Sequence, residues 1–354
     1  MIEVKNLTKK YGDNLAVDNL SFTIEKGKIY GFLGPNGAGK STTMNIITGC
    51  LAPTSGDVKI DGNDIFENPV KAKRLIGYLP EIPPLYTDMT PLEYLRFVAD
   101  AKGVAKNVAA VQLEAVMQKT GLLNVANKLI RNLSKGYRQR VGIAQAMIGD
   151  PEIIILDEPT VGLDPKQIIE IRDLIKSLCE THTVILSSHI LSEIQAVCDY
   201  VMIISGGRLV ASDSLDNIRN IGNENRELNI TAKCNKEIAQ EIVDGFEEIT
   251  HYVITDGDDG TKMTLTVTPG CDIREKLFFG FADKNIAIVN ISVEEQSLEQ
   301  IYLKLTEPSI ADELFVENEI ATEPEESDEK EEDYKPMFED DDTEETIEEK
   351  EEEE

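Results

Sequence analysis

The chain has 354 residues with 66 acidic and 35 basic side chains, a formal net charge of −31 at pH 7, and at roughly 100 to 200 residues per domain a single small module is excluded. The acid is unevenly spread: residues 306 to 354 hold 25 Asp and Glu against Lys330, Lys335 and Lys350, so residues 1 to 305 carry only −9. Neither part has the basic excess of a nucleic-acid binder, and no nucleic-acid partner is expected. The N-terminus MIEVKNLTKKYG lacks the apolar stretch of a signal peptide, and no run of about 18 apolar residues occurs, so any membrane contact is expected to go through a partner. Five separated cysteines (Cys50, Cys179, Cys198, Cys234, Cys271) without CxxC spacing suggest neither a disulfide framework nor a zinc site, and point to a reducing compartment.

From Ile2 to about Gly222, short β-branched runs alternate with amphipathic helical patterns. Lys28 to Leu33, Glu152 to Leu156, Thr183 to Ser187 and Tyr200 to Ile204 are almost wholly apolar, the mark of buried strands, and predict an α/β core. Between Pro91 and Met147 the strand signal gives way to helical spacing, which predicts an inserted helical subdomain at about 85–150. Gly and Asn in IGNENRE, residues 221 to 227, predict a linker. Beyond it, strands are expected at Arg226 to Ile230, Lys262 to Val267 and Ile286 to Val293, with helices at Lys236 to Phe246, Asp272 to Ala282 and Glu295 to Leu305. The organisation expected is therefore 1–222 as the α/β unit, 223–306 as a small α+β domain and 307–354 as a disordered acidic tail. That tail has two readings: a solvating, repulsive brush, or an interaction segment seeking basic loops of a partner.

GPNGAGKS, Gly34 to Ser41, follows a predicted strand and opens a helix, matching G-x-x-x-x-G-K-[ST] in its full context. The glycines Gly34, Gly37 and Gly39 let backbone amides approach phosphates, Lys40 places a charge on the β- and γ-phosphates, and Ser41 can ligate magnesium. Asn36 and Thr42 belong to the same cradle. The ligand expected is ATP with Mg2+. IIILDEPT, 153 to 160, is an apolar strand ending in two acids: Asp157 can hold the metal and Glu158 can polarise the attacking water, which makes hydrolysis the expected outcome.

LSKGYRQRVGIAQAMI, residues 133 to 148, lies just before IIILDEPT, followed by GLDP and by SSH ending at His189. This ordered set, over residues 2 to about 222, resembles ATP-binding cassette ATPases. The fold implied is a P-loop NTPase core of that family, carrying the helical subdomain and the small C-terminal domain. Ser134 and Gly136 would serve the ATP of a second subunit, so the resemblance implies a homodimer closing on nucleotide. Tyr11 would stack on adenine, Glu81 would take the metal-binding position that usually carries Gln, Asp164 would cross the dimer interface, and His189 would contact the γ-phosphate and the attacking water. Taken alone, each has a plainer reading, such as a half-buried aromatic for Tyr11, a solvated turn acid for Glu81 and a helix cap for Asp164. LSKGY in place of the commoner LSGGQ, together with Glu81, resembles the cassettes of gliding-motility, multidrug and polysaccharide exporters. The function implied is the ATP-hydrolysing subunit of an exporter, peripheral on the cytoplasmic face, beneath a separate integral membrane permease received around Gly77 to Tyr94. The alternative is a soluble cassette ATPase switching a non-membrane partner.

Overall fold

The computed structural model describes residues 1–221, 226–257, 260–268, 271–294 and 297–306; the acidic segment 307–354 lies outside the described residues. In chain order the first half runs β1 (Ile2–Tyr11), β2 (Asn14–Ile24), β3 (Ile29–Leu33), α1 (Lys40–Ile47), β4 (Ser55–Ile60), β5 (Asn63–Asp64), α2 (Pro69–Arg74), β6 (Ile76–Leu79), α3 (Pro91–Ala101), α4 (Lys106–Lys119) and α5 (Lys135–Met147). It continues with β7 (Ile153–Asp157), α6 (Pro165–Leu178), β8 (Thr183–Ser188), α7 (Leu191–Val197), β9 (Tyr200–Ser205), β10 (Arg208–Ser214) and α8 (Leu215–Ile221). The chain then makes β11 (Arg226–Ala232), α9 (Lys236–Val243), β12 (Ile249–Gly257), β13 (Gly260–Val267), α10 (Arg274–Asp283), β14 (Ile288–Glu294) and α11 (Leu298–Thr306).

The central sheet has the order β10-β9-β3-β8-β7-β6, parallel except at the β10 edge. Its strands β3, β7 and β8 are buried at every residue because both faces are covered, which is why their sequences read as unbroken apolar runs. On one face Leu33, Leu79, Ile154, Leu156, Leu186 and Ile203 pack beneath helices α3 to α7. On the other, Tyr30, Phe32, Ile155, Ile185 and Ile204 meet Met44 and Ile47 of α1 and the antiparallel sheet β2-β1-β4-β5. Each side chain of this size removed from water contributes about 1.5–3 kcal/mol. Because the strands are parallel, their C-terminal ends lie at one edge. Register pairs Leu33 with Ser188 and Asp157 with Ser187, so three loops leave the sheet side by side.

The helical stretch between β6 and β7 is locally encoded. Thr90 caps α3 in a reciprocal box with Glu93, with Pro91 in the first turn. Helix α5 lies so close to β6 that a Cβ on Gly77 would come within 2.1 Å of the Ala146 carbonyl oxygen. Its C-terminal carbonyls are met by a side chain from another helix end: Lys102 Nζ donates to the oxygens of Gln145 (3.2 Å), Ala146 (3.4 Å) and Ile148 (2.6 Å). Desolvation of the ammonium against these carbonyls pushes Lys102 down from its ordinary 10.5 to about 8, although the residue as a whole is exposed. Between these two values the unfolded chain holds the proton more tightly than the folded one, so stability rises with pH there. Below about 8 both states are charged and the cost of partly desolvating the ammonium is present in full. Wild type is therefore expected to gain stability relative to Lys102→Met as pH rises from 8 towards 10.5, read from denaturant unfolding of both proteins across that range. Parallel curves would refute it.

β11 to β14 with α9 and α10 form a β-α-β-β-α-β unit whose sheet order, β12-β13-β11-β14, is the split βαβ arrangement. Leu228, Ile230, Met263 and Leu265 of the sheet bury Ile242 of α9 and Leu277 and Phe281 of α10. The sequence grouped the last helix with this unit. In the structure Leu298, Ile301 and Leu305 of α11 instead join the large core, on the side formed by Leu215 and Ile218 of α8 and by β9 and β10. The apolar stripe of α11, spaced three and four residues apart, finds its match there.

Candidate functional site

The loop between β3 and α1 is held by its glycines. Gly37 and Gly39 have φ of 84° and 104°, in the left-handed region, and a Cβ on Gly39 would lie 2.5 Å from the Ala16 carbonyl oxygen. This curls the loop over the N-terminus of α1, whose first residue is Lys40. The Lys40 side chain is 5% exposed, and its Nζ donates to the carbonyl oxygens of Gly34 (2.8 Å) and Pro35 (3.2 Å). An ammonium folded back on neutral carbonyls 3.6 Å from Glu158 Oε1 is a cation with donor capacity for a stronger anion.

Opposite stand the two acids at the end of β7. Asp157 Oδ1 accepts from Ser41 Oγ (3.2 Å) and Ser187 Oγ (2.5 Å). The backbone amide of Glu158 donates to the same Ser187 hydroxyl at 2.9 Å. Glu158 itself has φ 47°, costly for a residue with a Cβ, and is 7% exposed. Its Oε2 accepts from Nδ1 of His189 at 2.9 Å, which makes Nδ1 the protonated ring nitrogen.

These groups border a cleft of about 470 Å3 lined by Asn36, Gly37, Gly39, Lys40, Ser41, Thr42, Glu81, Glu158 and His189, with Ala16 and Val161. Asp157 joins it through Ser41. Gly34 lies at the root of the loop, where a Cβ would be 2.3 Å from the Ile204 carbonyl oxygen. Four further residues singled out in the sequence, Ser134, Gly136, Tyr11 and Asp164, are not among the lining set. Ser134 caps α5, its Oγ accepting from the Tyr137 amide at 3.4 Å, and Gly136 in the first turn of that helix is buried against Gln167. Tyr11, at the end of β1, is 49% exposed with Lys9 Nζ 5.3 Å from its ring centre. Asp164 caps α6 through the Gln167 amide at 2.9 Å.

The arrangement fits a nucleoside triphosphate: a glycine loop with amides at a helix start, a buried cation and a volume sufficient for a phosphate chain. The oxygen donors Ser41 and Asp157, with Glu81 on the rim, suit a hard cation such as Mg2+. Among the described residues no cluster of three or more His, Cys, Asp or Glu could hold a metal by itself. Sequence reasoning passed over Ser187, although it stood inside the SSH motif. Its role is visible only once β7 and β8 are paired.

Residues 17–161 match the family model described as ABC transporter. The chain is 36% identical over 307 residues to the bacitracin transport ATP-binding protein BcrA of Bacillus licheniformis, covering 86% of this chain and 97% of that one. It is 37% identical over 222 residues to the lantibiotic transport ATP-binding protein SrtF of Streptococcus pyogenes, covering 62% of this chain and 94% of that one. Among solved structures, the dimeric post-hydrolysis state of an ATP-binding cassette bound to ADP and Pi matches with a TM-score of 0.55 at 28% identity, over 61% of this chain and 99% of that one. With a phosphate-binding loop facing paired acids on the same sheet edge, and likeness running the length of a transport ATPase, the chain belongs to the ATP-binding, ATP-hydrolysing subunits of ABC transporters.

Proposed function

We propose that two copies of this chain close on two ATP molecules and that their hydrolysis drives a separate integral membrane permease in export. The observation that carries the dimer is a division of labour: Lys40, Ser41, Glu158 and His189 share one cleft, while Ser134 and Gly136, the other expected phosphate-binding groups, stand outside it. A helix start that cannot serve its own loop is available to the loop of a second copy. In the closed form Ser134 and the amides of α5 meet the γ-phosphate, Asp164 meets the facing copy, and Tyr11, exposed at the end of β1, meets the adenine.

Within one site, the loop amides and Lys40 bind the β- and γ-phosphates. Ser41 and Asp157 would hold Mg2+, with Glu81 beside them; the ion neutralises phosphate charge when bound. The Glu158 carboxylate accepts the proton of the water that attacks the γ-phosphorus, and the bond from that phosphorus to the ADP oxygen breaks. His189 keeps Glu158 oriented through Nδ1 and itself lines the cleft, where it would meet the γ-phosphate and the attacking water.

No helix among the described residues is long and apolar enough to cross a membrane. The permease is proposed to dock on the segment between β6 and α3, where Ile82 is 82% exposed and Tyr86 half exposed. Tyr86 lies against Tyr94 and Phe97 with ring centres at 6.0 and 5.4 Å. Such rings offer apolar area at little entropic cost. Held by that partner, the protein would lie peripherally on the cytoplasmic face of the membrane. The names of the two relatives favour a cargo of the bacitracin or lantibiotic type. Affinity capture from detergent-solubilised membranes is expected to recover a multi-span membrane protein, and Tyr86→Ala to weaken that recovery. Capture of ribosomes or nucleic acid without an integral protein would overturn the assignment.

A further inference from the structure

Glu193, in the first turn of α7, is 5% exposed, an expensive place for a carboxylate unless hydrogen bonds hold it. Two hydroxyls do so, and both donate to one oxygen: Thr160 Oγ1 reaches Oε2 at 2.5 Å and Ser188 Oγ reaches it at 3.0 Å. Thr160 lies two residues after Glu158 and Ser188 immediately before His189. The Ser188 hydroxyl also accepts from the Ile190 amide at 3.0 Å, so the turn carrying His189 is braced from both sides. A single buried oxygen therefore ties together the loops after β7 and β8, whose Glu158 and His189 meet at 2.9 Å on the cleft side.

We propose that Glu193 is a positioning residue that keeps the Glu158–His189 pair in register for attack on ATP, without touching nucleotide or water itself. The inference rests on the roles given to Glu158 and His189 above. The strained backbone at Glu158, φ 47°, explains why a brace is needed: a residue in that conformation persists only where its surroundings over-determine it. On the β8 side of the strand ends Ser187 performs the complementary task, holding Asp157 and the Glu158 amide, so the loop after β7 is fixed at two points rather than one.

The test separates bracing from mere packing. Glu193→Ala is expected to lower kcat about tenfold or more, since small misplacements of a reacting group are that costly, while the affinity for ATP, set by Lys40 and the glycine loop, stays within about twofold. Glu193→Gln keeps an amide oxygen able to accept both hydroxyls and is expected to restore most of the rate. Thr160→Val cuts one tie with little change of shape and should give an intermediate kcat; with Ser188→Ala it carries the test if Glu193→Ala does not fold. In single-turnover measurements on Glu158→Gln protein, adding Glu193→Ala should produce no further loss, because the effect passes through Glu158. Wild-type kcat in Glu193→Ala, or a fall in kcat matched by an equal fall in ATP affinity, overturns the proposal. If Glu158→Gln itself turns over normally the roles of the pair are wrong; if it is inactive while Glu193→Ala is fully active, only the bracing role fails.

Discussion

Replacing Glu158 by Gln is expected to lower ATP turnover by about two to four orders of magnitude, the range removed with a general base, while ATP binding survives. The amide has nearly the shape of the carboxylate, so a site only 7% exposed keeps its packing. What disappears is a negative acceptor between Lys40 Nζ at 3.6 Å and His189 Nδ1 at 2.9 Å. Removing one negative charge from the acid pair also relieves repulsion against the triphosphate, so the nucleotide-bound dimer should persist long enough to be isolated. Phosphate release measures the first effect, and the mass of the species eluting with ATP measures the second. A variant as active as wild type would dismiss Glu158 from its role, and a strictly monomeric ATP-loaded variant would dismiss the two-copy mechanism.

Lys40→Ala is expected to act one step earlier, weakening ATP binding about ten- to hundredfold, as loss of a charge-assisted hydrogen bond worth about 1.5–3 kcal/mol requires. Two effects run in the same direction. The ammonium that now rests on the Gly34 and Pro35 carbonyls would no longer be available to phosphate oxygens. The buried Glu158 carboxylate would also lose its cation and push anions away from the cleft. Titration calorimetry with a non-hydrolysed ATP analogue reads the change. Unaltered affinity would remove Lys40 from the phosphate cradle, and would leave the loop amides at the start of α1 as the whole of the anion site.

The parts of this structure legible in the sequence were those whose burial is simple. β3, β7, β8 and β9 are nearly continuous apolar runs because the central sheet is covered on both faces, and their expected and observed limits differ by one residue. The antiparallel sheet carried by β1 and β2 was less visible. β1 interrupts its alternation with register shifts between Val4 and Leu7 and again near Lys9, and Asn6 takes a positive φ within it. An irregular strand of that kind breaks the period that a sequence reading relies on, even between two neighbours. β12 escaped for a related reason, since ITHYVITDG is half polar and only partly buried. In the site, the loop and the acids were evident because their spacing along the chain is short. Ser187 and Glu193 were not, since their meaning depends on partners about 30 residues away that only strand pairing brings together. The destination of α11 was equally hidden, because an apolar stripe states that a helix will be covered and not by what.

That helix changes the mechanical character of the whole chain. The polypeptide departs from the ATPase core after α8 and returns to it at α11, so the split βαβ unit is fastened at both its entrance and its exit. A pendant on one tether can swivel without informing its carrier. A unit stitched down at two points follows the movement of the surface it is sewn to, and the β9–β10 border that anchors the seam lies in the same sheet whose strand ends carry the loops proposed to hold the nucleotide.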